Sequence, residues 1–277
     1  MYRMVVTDLD GTLLNSKKQI SEKTAEIIKK LKECHIYFVM ASGRSDVMMK
    51  SYIRQLQHEG AIIGCDGALV RDLSSGEIIY EQALDSKICR NSFRICREKG
   101  LQYYVFTADA LVGDDSSNER LVIHQKFNKT VSEEDQIPIK IVEDLSEFVK
   151  NHQVYKIVAS HDEKEYLDKA AEFFRKELEV DAIRSGKNVL AVKAKGVSKA
   201  AALKILAKQL GIAMEEMLAF GDEVNDIEML EAVGCGVAME NADDIVKEHA
   251  DGVTMSNDED GVAKKIRELF NIEERSS

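Results

Sequence analysis

The 277-residue chain contains no tryptophan and a single proline, Pro138. Proline-rich linkers and a succession of proline-punctuated loops are therefore excluded. Cysteine is also scarce: Cys34, Cys65, Cys89, Cys96 and Cys235 are odd in number and form no C-x-x-C pair. This argues against a disulfide framework or a structural zinc site, and the five read as reduced core filler. No apolar run approaches the ~18–20 residues of a membrane span, and MYRMVVTDLDG carries acids where a signal peptide carries a basic, then an apolar stretch. A soluble cytoplasmic protein is expected. Positive charge is in deficit, 38 Lys+Arg against 49 Asp+Glu for a net −11. With no basic patch to reverse that field, nucleic acids and anionic membranes are disfavoured as partners.

What is present is an ordinary globular composition, 44% hydrophobic and 31% charged, which supports a large core. The first third alternates short apolar runs with amphipathic stretches, the pattern of a parallel sheet with helices on its faces. Strands are expected at Met4–Thr7, Tyr37–Ala41 and Ala61–Gly64. Ser21 is expected to cap a helix carrying Ala25, Ile28 and Leu31, and a second stripe of Met49, Ile53 and Leu56 runs toward Gly60 as a helix end. The middle differs: a helix over 86–99, strands in 102–112 and 154–160, a helix over 163–177, and a hairpin over 181–194 turning at Ser185–Asn188. From Lys199 the first pattern resumes, with a helix to Leu210 closed by Gly211, a strand at Met217–Phe220, a helix from about Val224, and short strands near Gly236–Met239 and Gly252–Met255. The simplest topology is one α/β core, residues 1–83 and 195–277, interrupted by an α+β block at 84–194. That block holds 20 acids and 18 bases, net −2, which leaves net −9 in the core.

Three expected strands end in oxygen-rich residues. Asp8 and Asp10 close the first; two-residue spacing points both side chains the same way if the strand continues, and Gly11 permits a sharp turn. Taken alone, D-x-D-G is equally a solvated turn. The second strand ends in Ser42-Gly43-Arg44, a hydroxyl and a backbone amide at a helix start, which suits phosphate but is also ordinary capping. The third ends in Gly221-Asp222-Glu223-Val224-Asn225-Asp226, where Asp222 and Asp226 at helical spacing can face one point beside Asn225. Dipole capping explains either acid, though not all three residues together. Lys199, in the first turn of a helix capped by Ser198, opposes the helix dipole, as a lysine balancing an anion would, and equally as an exposed lysine at an indifferent position would. Ligands of open α/β sheets sit at the carboxyl ends of strands. Carboxylates gathered there repel one another unless a cation is present, and oxygen-only ligands without His or Cys point to Mg²⁺. An aspartate can also attack phosphorus directly, so phosphoryl transfer uses the whole set.

The sequence resembles the haloacid dehalogenase superfamily, and within it the Cof-type phosphatases, through D-L-D-G-T-L-L at Asp8–Leu14, A-S-G-R at Ala41–Arg44, K-G-V-S-K at Lys195–Lys199, G-D-E-V-N-D-I-E-M-L at Gly221–Leu230 and N-D-E-D-G-V-A at Asn257–Ala263. The resemblance implies a Rossmann-like parallel-sheet core with an inserted α+β cap that selects the substrate. It implies Asp8 as nucleophile and Asp10 as general acid and base. Leu9, Ser42, Gly43, Lys199 and Asn225 would bind phosphate. Mg²⁺ would be held by Asp8, the Asp10 carbonyl and Asp222, with Asp226 supporting the metal or Lys199. The implied reaction is hydrolysis of a small phosphorylated metabolite, a sugar phosphate or phosphorylated cofactor; a non-catalytic binding protein and a phosphomutase are the alternatives. In the cap, Arg184, Lys187 and Asn188 are candidate leaving-group contacts, against the alternative of a solvated turn. Asp66, Glu240 and Ala191 depart from the family pattern, and none of the three is expected to touch the motifs proposed for chemistry. Oligomeric state is not legible.

Overall fold

The computed structural model describes residues 2–185 and 188–272. Fourteen strands are defined among them: β1 (Met4–Thr7), β2 (Tyr37–Ala41), β3 (Ala61–Gly64), β4 (Leu69–Asp72), β5 (Ile78–Glu81), β6 (Gln102–Phe106), β7 (Leu111–Gly113), β8 (Ile139–Ile141), β9 (Lys156–Ser160), β10 (Val180–Arg184), β11 (Val189–Ala194), β12 (Met217–Gly221), β13 (Cys235–Met239) and β14 (Gly252–Thr254). They form an eight-stranded sheet, order β14-β13-β12-β1-β2-β3-β4-β5, and a six-stranded sheet, order β10-β11-β9-β6-β7-β8. By contacts the chain divides into two units. The first is Met1–Gly43, Tyr52–Ile79 and Ser198–Ser277; the second is Arg44–Ser51 and Tyr80–Val197.

In the first unit β14 through β3 run parallel, and β4 returns antiparallel to β3. The centre of this sheet is β1 and β12, every residue of which is buried. Such uninterrupted apolar runs are what strands covered by helices on both faces require. The Lys199–Leu210 helix packs on β3, β4 and the Ile227–Ala232 helix, while the Glu22–Glu33 and Gly261–Phe270 helices pack together. The expected caps are present: Ser21 Oγ accepts from Thr24 N, Ser198 Oγ accepts from Ala201 N, and Gly211 closes its helix at φ +63. The Met49 stripe gives a shorter helix than its spacing predicts, Lys50–Gln55. Gln57 adopts φ +46 and His58 N donates to Ile53 O, a Schellman-type closure that stops the helix before Gly60.

The second unit is antiparallel except for the β7–β8 pair. One core joins Phe93 and Cys96 of the Ser86–Glu98 helix, Leu167 and Phe174 of the Lys164–Glu177 helix, and Val105, Ile157 and Val192 of the strands. The β10–β11 hairpin is present; residues 186–187 of its turn, including Lys187, lie outside the described residues. The cysteine expectation needs correction: Cys65, Cys89 and Cys96 are buried filler, but Cys34 is exposed and Cys235 half-buried. Among the described residues no helix is long and apolar enough to cross a membrane.

Candidate active site

Strand register aligns the three chain segments expected to carry chemistry. Thr7 pairs with Met40 on β2 and with Phe220 on β12, so Asp8, Ser42 and Asp222 all lie just beyond the same carboxyl edge. Asp8 N donates to Phe220 O (2.9 Å), which holds the first segment against the third. Ser42 is buried, with its N bonded to Ile63 O at 2.8 Å.

The structure gathers Asp8, Asp222 and Asp226, each with a carboxylate oxygen within 4.8 Å of the others. Lys199, fully buried at the start of its helix, places Nζ 2.5 Å from Asp8 Oδ1 and 2.6 Å from Asp226 Oδ1. The other Asp226 oxygen accepts from the amides of Asp222 and Glu223, both at 3.1 Å. Asp226 is thus a fixed anchor for Lys199, and Lys199 in turn for Asp8. Thr12 Oγ1 donates to Asp222 Oδ1 at 2.6 Å. Sequence reasoning did not assign Thr12, although it stands inside the D-L-D-G-T-L run.

Asp10 behaves differently from Asp8. The strand does not continue past Thr7: Gly11 takes φ +89 and Asp10 bridges back to Leu14, so the condition under which the two side chains would point the same way is not met. Asp10 Oδ1 accepts from Lys18 Nζ at 2.9 Å near the surface, outside the carboxylate cluster. Gly11 is required where it is, since a Cβ there would stand 2.2 Å from Asp222 Oδ2.

Asn225 Nδ2 donates to Asp66 Oδ1 at 3.1 Å. This corrects the expectation that the Asp66 departure leaves the chemical motifs untouched; the two residues are 159 apart in sequence, beyond any local pattern. Glu240 is exposed beyond β13, and Ala191 is buried in β11 opposite Ile183 and Val158. Arg184 and Asn188 belong to the second unit, where Arg184 Nη1 donates to Lys164 O (3.1 Å) and to Asp168 (3.3 Å).

Burial drives the electrostatics of the cluster. It pushes Asp8 well above the usual carboxylate range; Lys199 opposes this and the Asp226 and Asp222 charges add to it. Burial likewise pushes Asp222 up to about 7, against the pull of Thr12 and with the help of Asp226 and Glu223. Burial also works against the Lys199 charge, but Asp226 and Asp8 outweigh it and raise the ammonium, which stays protonated. One cation therefore faces three carboxylates. An all-oxygen cluster with this charge deficit fits a hard divalent cation such as Mg²⁺.

A family model described as haloacid dehalogenase-like hydrolase matches residues 5–266. The chain is 30% identical to "Phosphatase YwpJ" of Bacillus subtilis over 97% of its own length and 100% of that protein. It is 32% identical to the B. subtilis "5-amino-6-(5-phospho-D-ribitylamino)uracil phosphatase YitU" over 97% and 98%. The solved structure of a haloacid dehalogenase-like hydrolase from Bacteroides thetaiotaomicron superposes with a TM-score of 0.85 at 30% identity, covering 98% of this chain and all of that one. The chain belongs to the haloacid dehalogenase-like hydrolases. Within that family it is a phosphatase.

Proposed function

We propose that the enzyme hydrolyses a small phosphorylated metabolite, a sugar phosphate or phosphorylated cofactor, through a covalent aspartyl-phosphate on Asp8, with Mg²⁺ as cofactor. The observation that carries this reading is the buried Lys199–Asp8 pair within a cluster of three carboxylates. An Asp8 oxygen attacks phosphorus, the bond to the leaving oxygen breaks, and Asp10 protonates that oxygen. Asp10 then takes a proton from water as the water attacks phosphorus, which releases Asp8 and inorganic phosphate. Lys199, Ser42, Asn225 and the amides of Leu9 and Gly43 hold the phosphoryl oxygens, whose charge spreads in the transition state. Asp8, the Asp10 carbonyl and Asp222 would hold Mg²⁺, with Asp226 behind them, and the metal when bound supplies charge neutralisation at the phosphoryl group. Arg184, Lys187 and Asn188 are our candidates for leaving-group contacts, contributed by residues 84–194 acting as a cap that closes over the site and excludes water.

The deciding assay is release of inorganic phosphate from an aryl phosphate and from a panel of phosphometabolites, with Mg²⁺, with chelator, and with Asp8→Asn. Activity is expected only with Mg²⁺ and intact Asp8. Turnover that survives chelation or the substitution overturns the mechanism, and transfer to an acceptor other than water identifies a mutase.

A further inference from the structure

Asp66 sits in the turn after β3 with φ +59, a left-handed conformation that Asp and Asn adopt more readily than most residues. Three segments meet through it. Its amide donates to Ser42 O at 3.0 Å, and its Oδ1 accepts from Asn225 Nδ2 at 3.1 Å. Asn225 Oδ1, on the other side of the same amide, is buried without a hydrogen-bond partner. The adjoining Gly67, at φ +102, packs so tightly on the start of the Lys199 helix that a Cβ would stand 2.2 Å from Ser198 O. The turn is therefore fixed against the segment that carries Lys199.

An ionised carboxylate only accepts hydrogen bonds, whereas a carboxamide both donates and accepts. Opposite an amide at position 66, Asn225 is satisfied in either of its two orientations. Opposite Asp66 only one orientation bonds, with Nδ2 toward the turn. That orientation occupies one Nδ2 proton and leaves the second free to donate.

We propose that Asp66 is a positioning residue that locks the side-chain amide of Asn225, so that its second Nδ2 proton is presented to a phosphoryl oxygen. The proposal rests on the reading of Asn225 as a phosphoryl contact given above. Asn225→Ala alone tests that reading separately, because an unchanged kcat/KM in that variant removes Asn225 as a phosphoryl contact whatever Asp66 does.

The test of the proposal is a double-mutant cycle on kcat/KM with an aryl phosphate, using Asp66→Gly, Asn225→Ala and both together. Glycine accepts the left-handed turn and removes the side chain that carries the carboxylate. Asp66→Gly is expected to lower kcat/KM about tenfold in the wild-type background and by no more than about twofold in Asn225→Ala, since its effect passes through that amide. Asp66→Asn, which keeps the turn and an acceptor, is expected to stay within about threefold of wild type. The proposal is overturned if the Asp66→Gly loss persists undiminished in Asn225→Ala, if that loss is absent in the wild-type background, or if Asp66→Asn is as slow as Asp66→Gly. A measurement on the unaltered protein stands independently of how the variants fold. The Asn225 side-chain amide protons, assigned by their disappearance in Asn225→Ala, are expected to exchange slowly with solvent, and free exchange overturns the contact.

Discussion

Asp8 and Asp10 are the same residue type two positions apart, yet one is buried against Lys199 and the other reaches a surface lysine. That difference supports the proposed division of roles, Asp8 as nucleophile and Asp10 as acid–base group. Asp10→Asn is expected to slow both formation and hydrolysis of the phosphoenzyme, read as a lower burst rate and a lower steady-state rate; unchanged turnover removes Asp10 from both steps. Gly11→Ala tests the site by geometry. The new methyl meets Asp222 and the backbone must keep a positive φ, so stability is expected to fall by about 1–2 kcal/mol and the Mg²⁺ concentration for half-activity to rise. Equilibrium unfolding and a Mg²⁺ titration of activity read the two effects.

At the scale of the element, the Lys199–Leu210 helix shows how local chemistry serves the site. Ser198 bonds the Ala201 amide at 3.2 Å and so fixes the first turn from which Lys199 projects. Ser198→Ala is expected to cost about 0.5–2 kcal/mol, measured as a lower urea midpoint at constant slope. This cap, like the strands Met4–Thr7 and Tyr37–Ala41, was legible because capping residues and continuous apolar runs are local signals. The Glu119–Asn128 helix was not, since Leu121 is its one fully buried residue while Ile123 and Phe127 are exposed, and no apolar stripe marks it. The strands β4 and β5, each as long as β1, were missed because Leu69–Asp72 and Ile78–Glu81 end in charged residues and lack the continuous apolar run of β1. In the site, the residues of the motifs were readable from spacing, whereas the pairing of Asp66 with Asn225 and of Thr12 with Asp222 joins segments far apart in the chain.

For the whole molecule, pH reports on half-buried imidazoles. Burial, with Arg44 and Arg120 nearby, lowers His124 to about 4, and burial also lowers His58. The unfolded chain takes up these protons near pH 6.5 while the folded chain resists, so the unfolded state binds more protons in between. Their contribution to stability is complete above about pH 6.5 and is lost as pH falls toward about 4. Asp8 and Asp222, pushed up by burial, act in the opposite sense across the same window, so the test is a difference: the urea midpoint of the wild type is expected to fall relative to that of His124→Gln as pH drops from about 6.5 toward 4, and a difference that stays constant removes His124 as a cause.

The chain passes between its two compact units after Gly43, Ser51, Ile79 and Val197. A chimaera that exchanges only residues 80–197 with a relative strands Arg44–Ser51 on the wrong parent, including Ser45 and Met49, both fully buried. The second unit is thus inherited in two pieces, and recombination that preserves its packing must carry both.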